Sequence, residues 1–259
     1  MDQMIDVQEA SGVCRITLNR PKANAYNQDF LDLFVEVLEQ VDASGNARVA
    51  VIQSASERFF CAGADIEAFA KSDADGQKKI AATARRVTAM IESSDKVFVA
   101  SINGHALGGG LELAMACDIR LACDRDYLLG LPEVKLGQMP GNGGSQRLPR
   151  LVGFAKGLEL TITGDNISPQ EAYRIGLVNH LYPADGFTER VEAYVQALAG
   201  GPPLAIAAIK RAVRQGWQKS LEDGLAVEAS CGESIYDTQD AKEGFQAFLD
   251  KRPPIFTGQ

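Results

Sequence analysis

The sequence is poor in the residues that most often serve nucleophilic or metal chemistry. Its 259 residues contain only two histidines, His105 and His180, which excludes a histidine-rich metal site. The five cysteines form no Cys-x-x-Cys pair and are odd in number, which argues against both a zinc motif and a disulfide framework. We therefore expect reduced thiols, no bound metal and a cytoplasmic location.

Positive charge and long apolar runs are also scarce. Lys and Arg number 26 against 34 Asp and Glu, so the net charge of -8 excludes a general basic surface for nucleic acid. No apolar run reaches the ~18 residues that a membrane span requires. The opening segment MDQMIDVQEA lacks the basic and apolar regions of a secretion signal. We expect no nucleic-acid or membrane partner, and any anionic ligand must be held by local donors.

The pattern of apolar residues predicts an α/β protein. The hydrophobic content of 46% excludes a disordered chain. Strand, loop and helix alternate through the first half, with strands expected at 4–7, 13–18, 49–54, 97–104 and 119–124 and helices at about 27–41 and 72–93. Beyond residue 150 the pattern is mostly helical, with one short strand at 178–183. Residues 200–203 are the expected hinge between a core (1–200) and a helical subdomain (201–259).

A run of three glycines, Gly108–Gly110, lies between a predicted strand and a predicted helix. Its backbone N–H groups would face a ligand at the positive end of the helix dipole, where they would stabilise a negative oxygen or hold a phosphate. A tight packing turn is the alternative. Glu112 follows among apolar neighbours, where desolvation would raise its pKa and suit it to proton transfer. An ordinary, partly exposed helix glutamate is the alternative there.

A second glutamate, Glu133, follows Pro132 in the segment LGLPEVKLG. Two carboxylates in apolar surroundings can divide the acid and base roles of one reaction, particularly where histidine is scarce. Spacing alone does not bring the two together. Glu133 could equally be a surface loop residue balanced by Lys135.

Two further loops carry small or basic residues. The segment Cys61–Asp65 has small side chains that would allow its backbone to donate to a ligand. The segment PGNGGSQRLPR at 140–150 predicts the start of a helix whose arginines, Arg147 and Arg150, form salt bridges. Anion binding by this segment is the alternative.

Six segments carry a resemblance to a known family. They are TLNRPKANAYN (17–27), FFCAGADIEAF (59–69), SINGHALGGGLELAMACDIRLA (101–122), LGLPEVKLGQMPGNGGSQRLPRLVG (129–153), TGDNISPQEAYRIGLVNHL (163–181) and EGFQAFLDKRPPIF (243–256). In their order and spacing they resemble the crotonase (enoyl-CoA hydratase/isomerase) superfamily. The resemblance implies a crotonase-like α/β spiral of β-β-α units around two roughly perpendicular sheets. It also implies C-terminal helices that build a homotrimer, often paired into a dimer of trimers.

The resemblance further implies an acyl-CoA thioester substrate and no cofactor. The backbone N–H groups of Ala64 and Gly109 would form the oxyanion hole that binds the thioester oxygen. Glu112 would activate the water that adds at C3, and Glu133 would deliver the proton to C2. This is reversible hydration of trans-2-enoyl-CoA to 3-hydroxyacyl-CoA. The alternatives are a 3-enoyl/2-enoyl-CoA isomerase, a crotonase specialised for a polar, branched or aromatic acyl-CoA, and a non-catalytic CoA-binding or RNA-associated module.

Other positions are assigned to substrate binding by the same resemblance. Two residues, Phe248 and Lys251, would reach the CoA of a neighbouring subunit. The remaining candidates are expected to contact CoA within the subunit or to set acyl specificity: Lys22, Ala23, Ala62, Asp65 and Ile66 for CoA, and Leu131 and Asn142 for specificity.

Overall fold

The computed structural model describes residues 4–259, and their strands form two sheets. The six-stranded sheet has the order β1-β2-β3-β5-β7-β10, and the four-stranded sheet has the order β4-β6-β8-β9. In chain order the strands are Ile5–Ala10 (β1), Val13–Leu18 (β2), Val49–Ser54 (β3), Phe59–Cys61 (β4), Val97–Ile102 (β5), His105–Leu107 (β6), Ile119–Asp124 (β7), Leu129–Gly130 (β8), Asn166–Ile167 (β9) and His180–Pro183 (β10).

The chain alternates between the two sheets. A strand of the large sheet (β3, β5 or β7) is followed by a strand of the small sheet (β4, β6 or β8) and then by helical structure. This confirms the predicted spiral of β-β-α units. The helices are Gln28–Ala43 (α1), Ile66–Lys71 (α2), Ala74–Ser93 (α3), Gly109–Ala116 (α4), Gly144–Val152 (α5), Phe154–Thr163 (α6), Pro169–Arg174 (α7), Phe187–Ala199 (α8), Pro203–Gly216 (α9), Leu221–Glu233 (α10) and Gln239–Leu249 (α11), with a 3-10 helix at Pro132–Leu136.

The large sheet forms the centre of the core. Strands β2, β3, β5 and β7 run parallel, and only the β1–β2 pair at one edge is antiparallel. Every residue of β5 is buried, because a parallel strand in the middle of a sheet is covered on both faces. Helix α1 covers the sheet with the buried Phe30, Phe34 and Leu38, and it begins where the Asn27 side chain accepts a hydrogen bond from the Phe30 N–H.

The short strands of the small sheet were missed by the sequence analysis. No strand was expected at Phe59–Cys61, and the Glu133 segment, which could have been a surface loop, forms a 3-10 helix. Two- and three-residue strands are too short to show an alternating pattern, so only their pairing in the sheet reveals them. These elements matter because they carry the candidate site.

The C-terminal helices join this core through α9. Helix α9 packs against β5, and α10 packs against α9. They expose large apolar side chains, including Trp217 at 72% and Phe248 at 83% exposure. The Arg48 side chain donates hydrogen bonds to the carbonyls of Ala199 and Phe256 on either side of the expected hinge. The division at residue 200 stays a prediction.

The cysteines and the helices of the described chain bear on the compartment of the protein. All five cysteines are free thiols, and four of them are buried. None of the helices within residues 4–259 combines the length and apolar character needed to cross a membrane.

Candidate active site

Glu112 is buried at the start of α4, with 2% of its surface exposed. The backbone N–H groups of Asn142 and Gly144 donate to its Oε1 at 2.8 Å and 2.7 Å. Burial raises the pKa of this carboxyl above its ordinary value, although the two N–H donors and the charge of Arg147 oppose the rise. The alternative of a partly exposed helix glutamate is therefore wrong. Within residues 4–259 no group donates to Oε2, so this oxygen can still accept a proton or a hydrogen bond.

Glu133 reaches the same region from the 3-10 helix. Its Oε1 lies 3.0 Å from the position that a Cβ on Gly108 would occupy, at the N-terminus of α4. Its Oε2 is buried without a hydrogen-bond partner among the described residues. Burial, with a further contribution from the charge of Glu112, raises the pKa of Glu133 to about 7. Lys135 does not balance it, because the Lys135 ammonium pairs with Asp165 at 3.6 Å.

The backbones of Gly63 and Gly109 meet beside these carboxylates. A Cβ on Gly63 would lie 2.8 Å from the Gly109 nitrogen, and Gly63 has a φ of +85°, so only glycine fits there without strain. The N–H groups of Ala64 and Gly109 donate to no other group within residues 4–259. Two uncommitted donors therefore lie on adjoining segments, one of them at the positive end of α4.

A network of polar side chains fixes the loop that carries Ala64. The Arg20 guanidinium pairs with the Asp65 carboxylate at 2.9 Å. Asp65 also caps α2 by accepting from the Ala68 N–H. Hydrogen bonds from Arg20 and then from the Ala68 N–H hold the pKa of Asp65 below its ordinary value. The buried Asn24 donates to the Phe60 carbonyl at 3.0 Å. The Asp65 side chain thus holds the loop in place, and its predicted contact with CoA stays a prediction.

Tyr26 is a component of the site that the sequence analysis did not single out. Its N–H donates to the Gly63 carbonyl, and its carbonyl accepts from the Asp65 N–H, so it lies alongside the Ala64 segment. A Cβ on Gly109 would lie 1.8 Å from the Tyr26 hydroxyl oxygen. Burial, and then the negative charge of Glu112, raises the pKa of this phenol well above its ordinary value. An aromatic residue inside the segment NRPKANAYN was the available signal.

The two candidate specificity residues lie next to Glu112. Leu131 is 1% exposed, and its Cδ1 would be 2.9 Å from a Cβ on Gly144. Asn142 is buried, and its side-chain Oδ1 accepts a hydrogen bond from the Thr88 hydroxyl at 2.9 Å. Both residues therefore lie beside the Glu112 carboxylate. Their effect on specificity stays a prediction.

The structure brings together some of the predicted CoA contacts but not all. The Ala62 N–H donates to the Ala23 carbonyl at 3.0 Å, which joins the two loops beside the site. The side chains of Lys22 and Ile66 are exposed at the ends of these loops. Phe248 and Lys251, in contrast, lie on or just after α11, which does not pack against α4 or the 3-10 helix in the described chain.

The comparisons with known proteins agree with this fold. The family model described as enoyl-CoA hydratase/isomerase matches residues 8–259. The chain belongs to the enoyl-CoA hydratase/isomerase family.

Individual relatives match the chain over nearly its whole length. The chain is 38% identical to a 2,3-dehydroadipyl-CoA hydratase of Escherichia coli, with 100% of both chains covered. It is also 38% identical to a crotonyl-CoA hydratase of Syntrophomonas wolfei, with 92% of each chain covered. A crystal structure of an enoyl-CoA hydratase from Bacillus anthracis superposes with a TM-score of 0.96 at 38% identity, covering 99% of this chain and 100% of that one.

Proposed function

We propose that the protein is an enoyl-CoA hydratase, which adds water reversibly and with syn geometry to trans-2-enoyl-CoA to give 3-hydroxyacyl-CoA. One observation carries the proposal. The buried Glu112 carboxyl and the partly buried Glu133 carboxyl, both with raised pKa values, lie beside two uncommitted backbone N–H donors. The names of the relatives, which include hydratases of crotonyl-CoA and 2,3-dehydroadipyl-CoA, support the same reaction.

The two carboxyl groups differ in a way that suits two roles. Glu112 receives two N–H donors on Oε1, which favour its ionised form and leave Oε2 for a water molecule. In the proposal, Glu112 accepts a proton from that water as the oxygen bonds to C3. Glu133 has only its own backbone N–H to offset burial, and its Oε2 has no hydrogen-bond partner among the described residues. With a pKa of about 7, a large fraction of Glu133 is protonated at neutral pH. It delivers its proton to C2.

The backbone donors act on the thioester. The N–H groups of Ala64 and Gly109 bind the carbonyl oxygen and stabilise the negative charge that develops as water adds at C3. Each such donor contributes about 3–4 kcal/mol to the transition state in comparable sites. Water adds across the double bond without net oxidation or reduction of the substrate, so the proposal includes no redox cofactor. The amides polarise the thioester carbonyl in the proposal, so it includes no metal.

Binding of CoA and assembly belong to the same proposal. Lys22 would meet the phosphates of CoA, with the segments of Ala23 and Ala62 beside it, while Phe248 and Lys251 would come from a neighbouring subunit. The assembly in the proposal is a homotrimer or a dimer of trimers. The exposed apolar side chains of α9 to α11 support self-association, since patches of this kind usually mark interfaces. The free cysteines support a cytoplasmic location.

The direct experiment is hydration of crotonyl-CoA, followed by the loss of enoyl-thioester absorbance. We expect Glu112→Gln and Glu133→Gln each to lower kcat by ~10²–10⁴-fold, because each amide removes a proton-transfer group at nearly unchanged volume. Glu36→Gln, on the exposed face of α1, is the matched control and should retain full activity. Near-full rates in both site variants would contradict the assigned roles.

A panel of thioesters separates the alternatives. An isomerase would convert 3-enoyl-CoA to 2-enoyl-CoA and would depend on Glu133 much more than on Glu112. A specialised crotonase would prefer a polar, branched or aromatic acyl group over crotonyl-CoA. CoA binding without turnover of any thioester would indicate a non-catalytic module.

A further inference from the structure

The loop that binds Glu112 is itself held by a second layer of polar contacts. The Arg147 guanidinium donates to the Asn142 carbonyl at 2.7 Å. The N–H of the same residue donates to Glu112. Arg147 fills the space beside Gly143 so closely that a Cβ there would lie 2.0 Å from its Nη1. Gly143 also has a φ of +98°, so the loop takes a path that requires glycine.

Arg147 is fixed in turn by a carboxylate on α3. The two oxygens of Glu92 accept from its Nε and Nη2 at 2.8 Å and 2.6 Å, the paired geometry that orients a guanidinium best. The expectation that the arginines of this segment form salt bridges is thus confirmed for Arg147. It is wrong for Arg150, which donates only to the Gln146 backbone and side chain within the described residues. Burial opposes ionisation of Glu92, but hydrogen bonds and charges from Arg147 and Arg214 hold its pKa below the ordinary value.

The same carboxylate connects the site to a C-terminal helix. Arg214 of α9 pairs with Glu92 at 3.2 Å and with Asp118 at 2.7 Å. Lys210, one turn earlier on α9, pairs with Asp118 at 2.9 Å, and its side chain is 8% exposed. A continuous set of ion pairs therefore runs from α9 through Glu92 and Arg147 to the loop that binds Glu112.

We infer that Arg147 is a positioning residue for Glu112, and that α9 supports it through Arg214 and Glu92. The inference rests on the proposed function in that it takes Glu112 to be the group that activates water. Arg147 acts through the backbone of Asn142: it donates to the carbonyl of this residue, while the N–H of the same residue donates to Glu112. An arginine suits this task because several N–H donors can bind the Asn142 carbonyl and Glu92 at the same time.

The charge of Arg147 also bears on the ionisation of Glu112. The titratable groups that interact with Glu112 are Glu133 from the 3-10 helix, Tyr26, and Arg147 from α5. From α3, Arg85 donates to the Gly141 carbonyl of the loop that binds Glu112 at 3.2 Å, and Glu92 pairs with Arg147. Of these, Arg147 lowers the pKa of Glu112. Loss of the guanidinium should therefore raise the pKa of Glu112 and move the acid limb of the kcat–pH profile to higher pH.

The first test compares Arg147→Met with Arg147→Lys and with Arg150→Met. Arg150 is exposed on the same helix and donates only to Gln146, so it is a matched control. For crotonyl-CoA hydration, we expect Arg147→Met to lower kcat by ~10–100-fold with little change in KM, because Glu112 is no longer held in register. Its acid limb should move up by ~1 pH unit. Arg147→Lys should lower kcat less than Arg147→Met does, and it should move the acid limb by a smaller amount. A wild-type kcat and acid limb in Arg147→Met would overturn the inference.

The second test does not depend on turnover. Hydrogen–deuterium exchange of a peptide covering residues 140–146 reports the two amides that donate to Glu112. We expect Arg147→Met and Arg214→Met each to speed this exchange by ~10-fold or more, and Arg150→Met to leave it unchanged. Unchanged exchange in Arg147→Met would refute the positioning role, and unchanged exchange in Arg214→Met would refute the support from α9. If the wild type fails to hydrate any enoyl-CoA, the proposed function fails while the exchange data still decide the positioning inference.

Discussion

The contact between Gly144 and Glu112 offers the sharpest test of the site geometry. A Cβ at position 144 would lie 2.9 Å from Glu112 Oε1, 2.8 Å from the Pro140 Cβ and 2.9 Å from the Leu131 Cδ1. Ordinary contacts of this kind begin about 0.5 Å further out. Gly144→Ala therefore forces the carboxylate, the loop or Leu131 to move, although the Gly144 N–H itself remains.

Two opposing effects set the expected change in the free energy of unfolding of Gly144→Ala. Overpacking of a filled site costs about 1–3 kcal/mol. The alanine recovers about 0.5–1 kcal/mol, because it restricts the unfolded chain and favours the first turn of α5. The free energy of unfolding should thus fall by about 0–2.5 kcal/mol. Catalysis should suffer more, with kcat lower by ~10–100-fold, since a displacement of under 1 Å already misplaces a proton-transfer group.

Gly141→Ala is the control within the same loop. Its nearest neighbour, the Met139 carbonyl oxygen, would lie 3.9 Å from the new Cβ. Crotonyl-CoA hydration and urea unfolding of both variants separate a local displacement of Glu112 from a general loss of loop structure. The reasoning is refuted if Gly144→Ala keeps the wild-type kcat, or if Gly141→Ala loses as much activity as Gly144→Ala.

Three further predictions concern ionisation, packing and assembly. Because folding raises the pKa of Glu133 from about 4.5 to about 7, the folded state binds its proton more tightly. Glu133 therefore costs stability that grows as pH rises through this window, and Glu133→Gln should be more stable than the wild type by ~2–3 kcal/mol at pH 8 but not at pH 4, as measured by urea unfolding. Gly109→Ala should lower the melting temperature because its Cβ would overlap the Tyr26 hydroxyl, and adding Tyr26→Leu should recover part of the loss. If Phe248 and Lys251 complete the CoA site of a neighbouring subunit, Lys251→Ala should weaken CoA binding in calorimetry while kcat is retained. Dilution of the wild type to the monomer should also weaken its CoA binding.

The sequence could predict those parts of the fold whose signal lies within one element. Strands β3 and β5 are mostly continuous apolar runs, β2 alternates polar and apolar residues, and α1 shows helical spacing, so these elements were placed to within a few residues. The strand Phe59–Cys61 and the Leu129–Gly130 pair are too short for any period, and they exist because neighbouring strands offer hydrogen-bond partners. Their positions are a property of the sheet rather than of the local sequence.

The candidate site also contains features that local sequence indicates and contacts that it does not. Apolar neighbours of Glu112 indicated burial, but they did not show that the N–H groups of residues 30 and 32 positions later bind it. Lys135 was a reasonable local partner for Glu133, yet the 3-10 helix turns it toward Asp165. Arg147 was expected in a salt bridge without a partner being named, and Glu92 lies 55 residues away. Each missing fact is a contact between segments that only the folded chain brings together.

The pKa values of Glu112 and Glu133 respond differently to burial. Desolvation raises both pKa values, but at Glu112 two N–H donors and the Arg147 guanidinium offset part of the rise, whereas Glu133 keeps one buried oxygen without any donor. An ionised base beside a protonated acid requires this asymmetry, because two equivalent carboxyls at short range would share one proton. The asymmetry comes from the 140–144 loop, which reaches Glu112 and not Glu133. A substitution that frees this loop should therefore make the two groups more alike, and the separation between the acid and basic limbs of the kcat–pH profile should narrow.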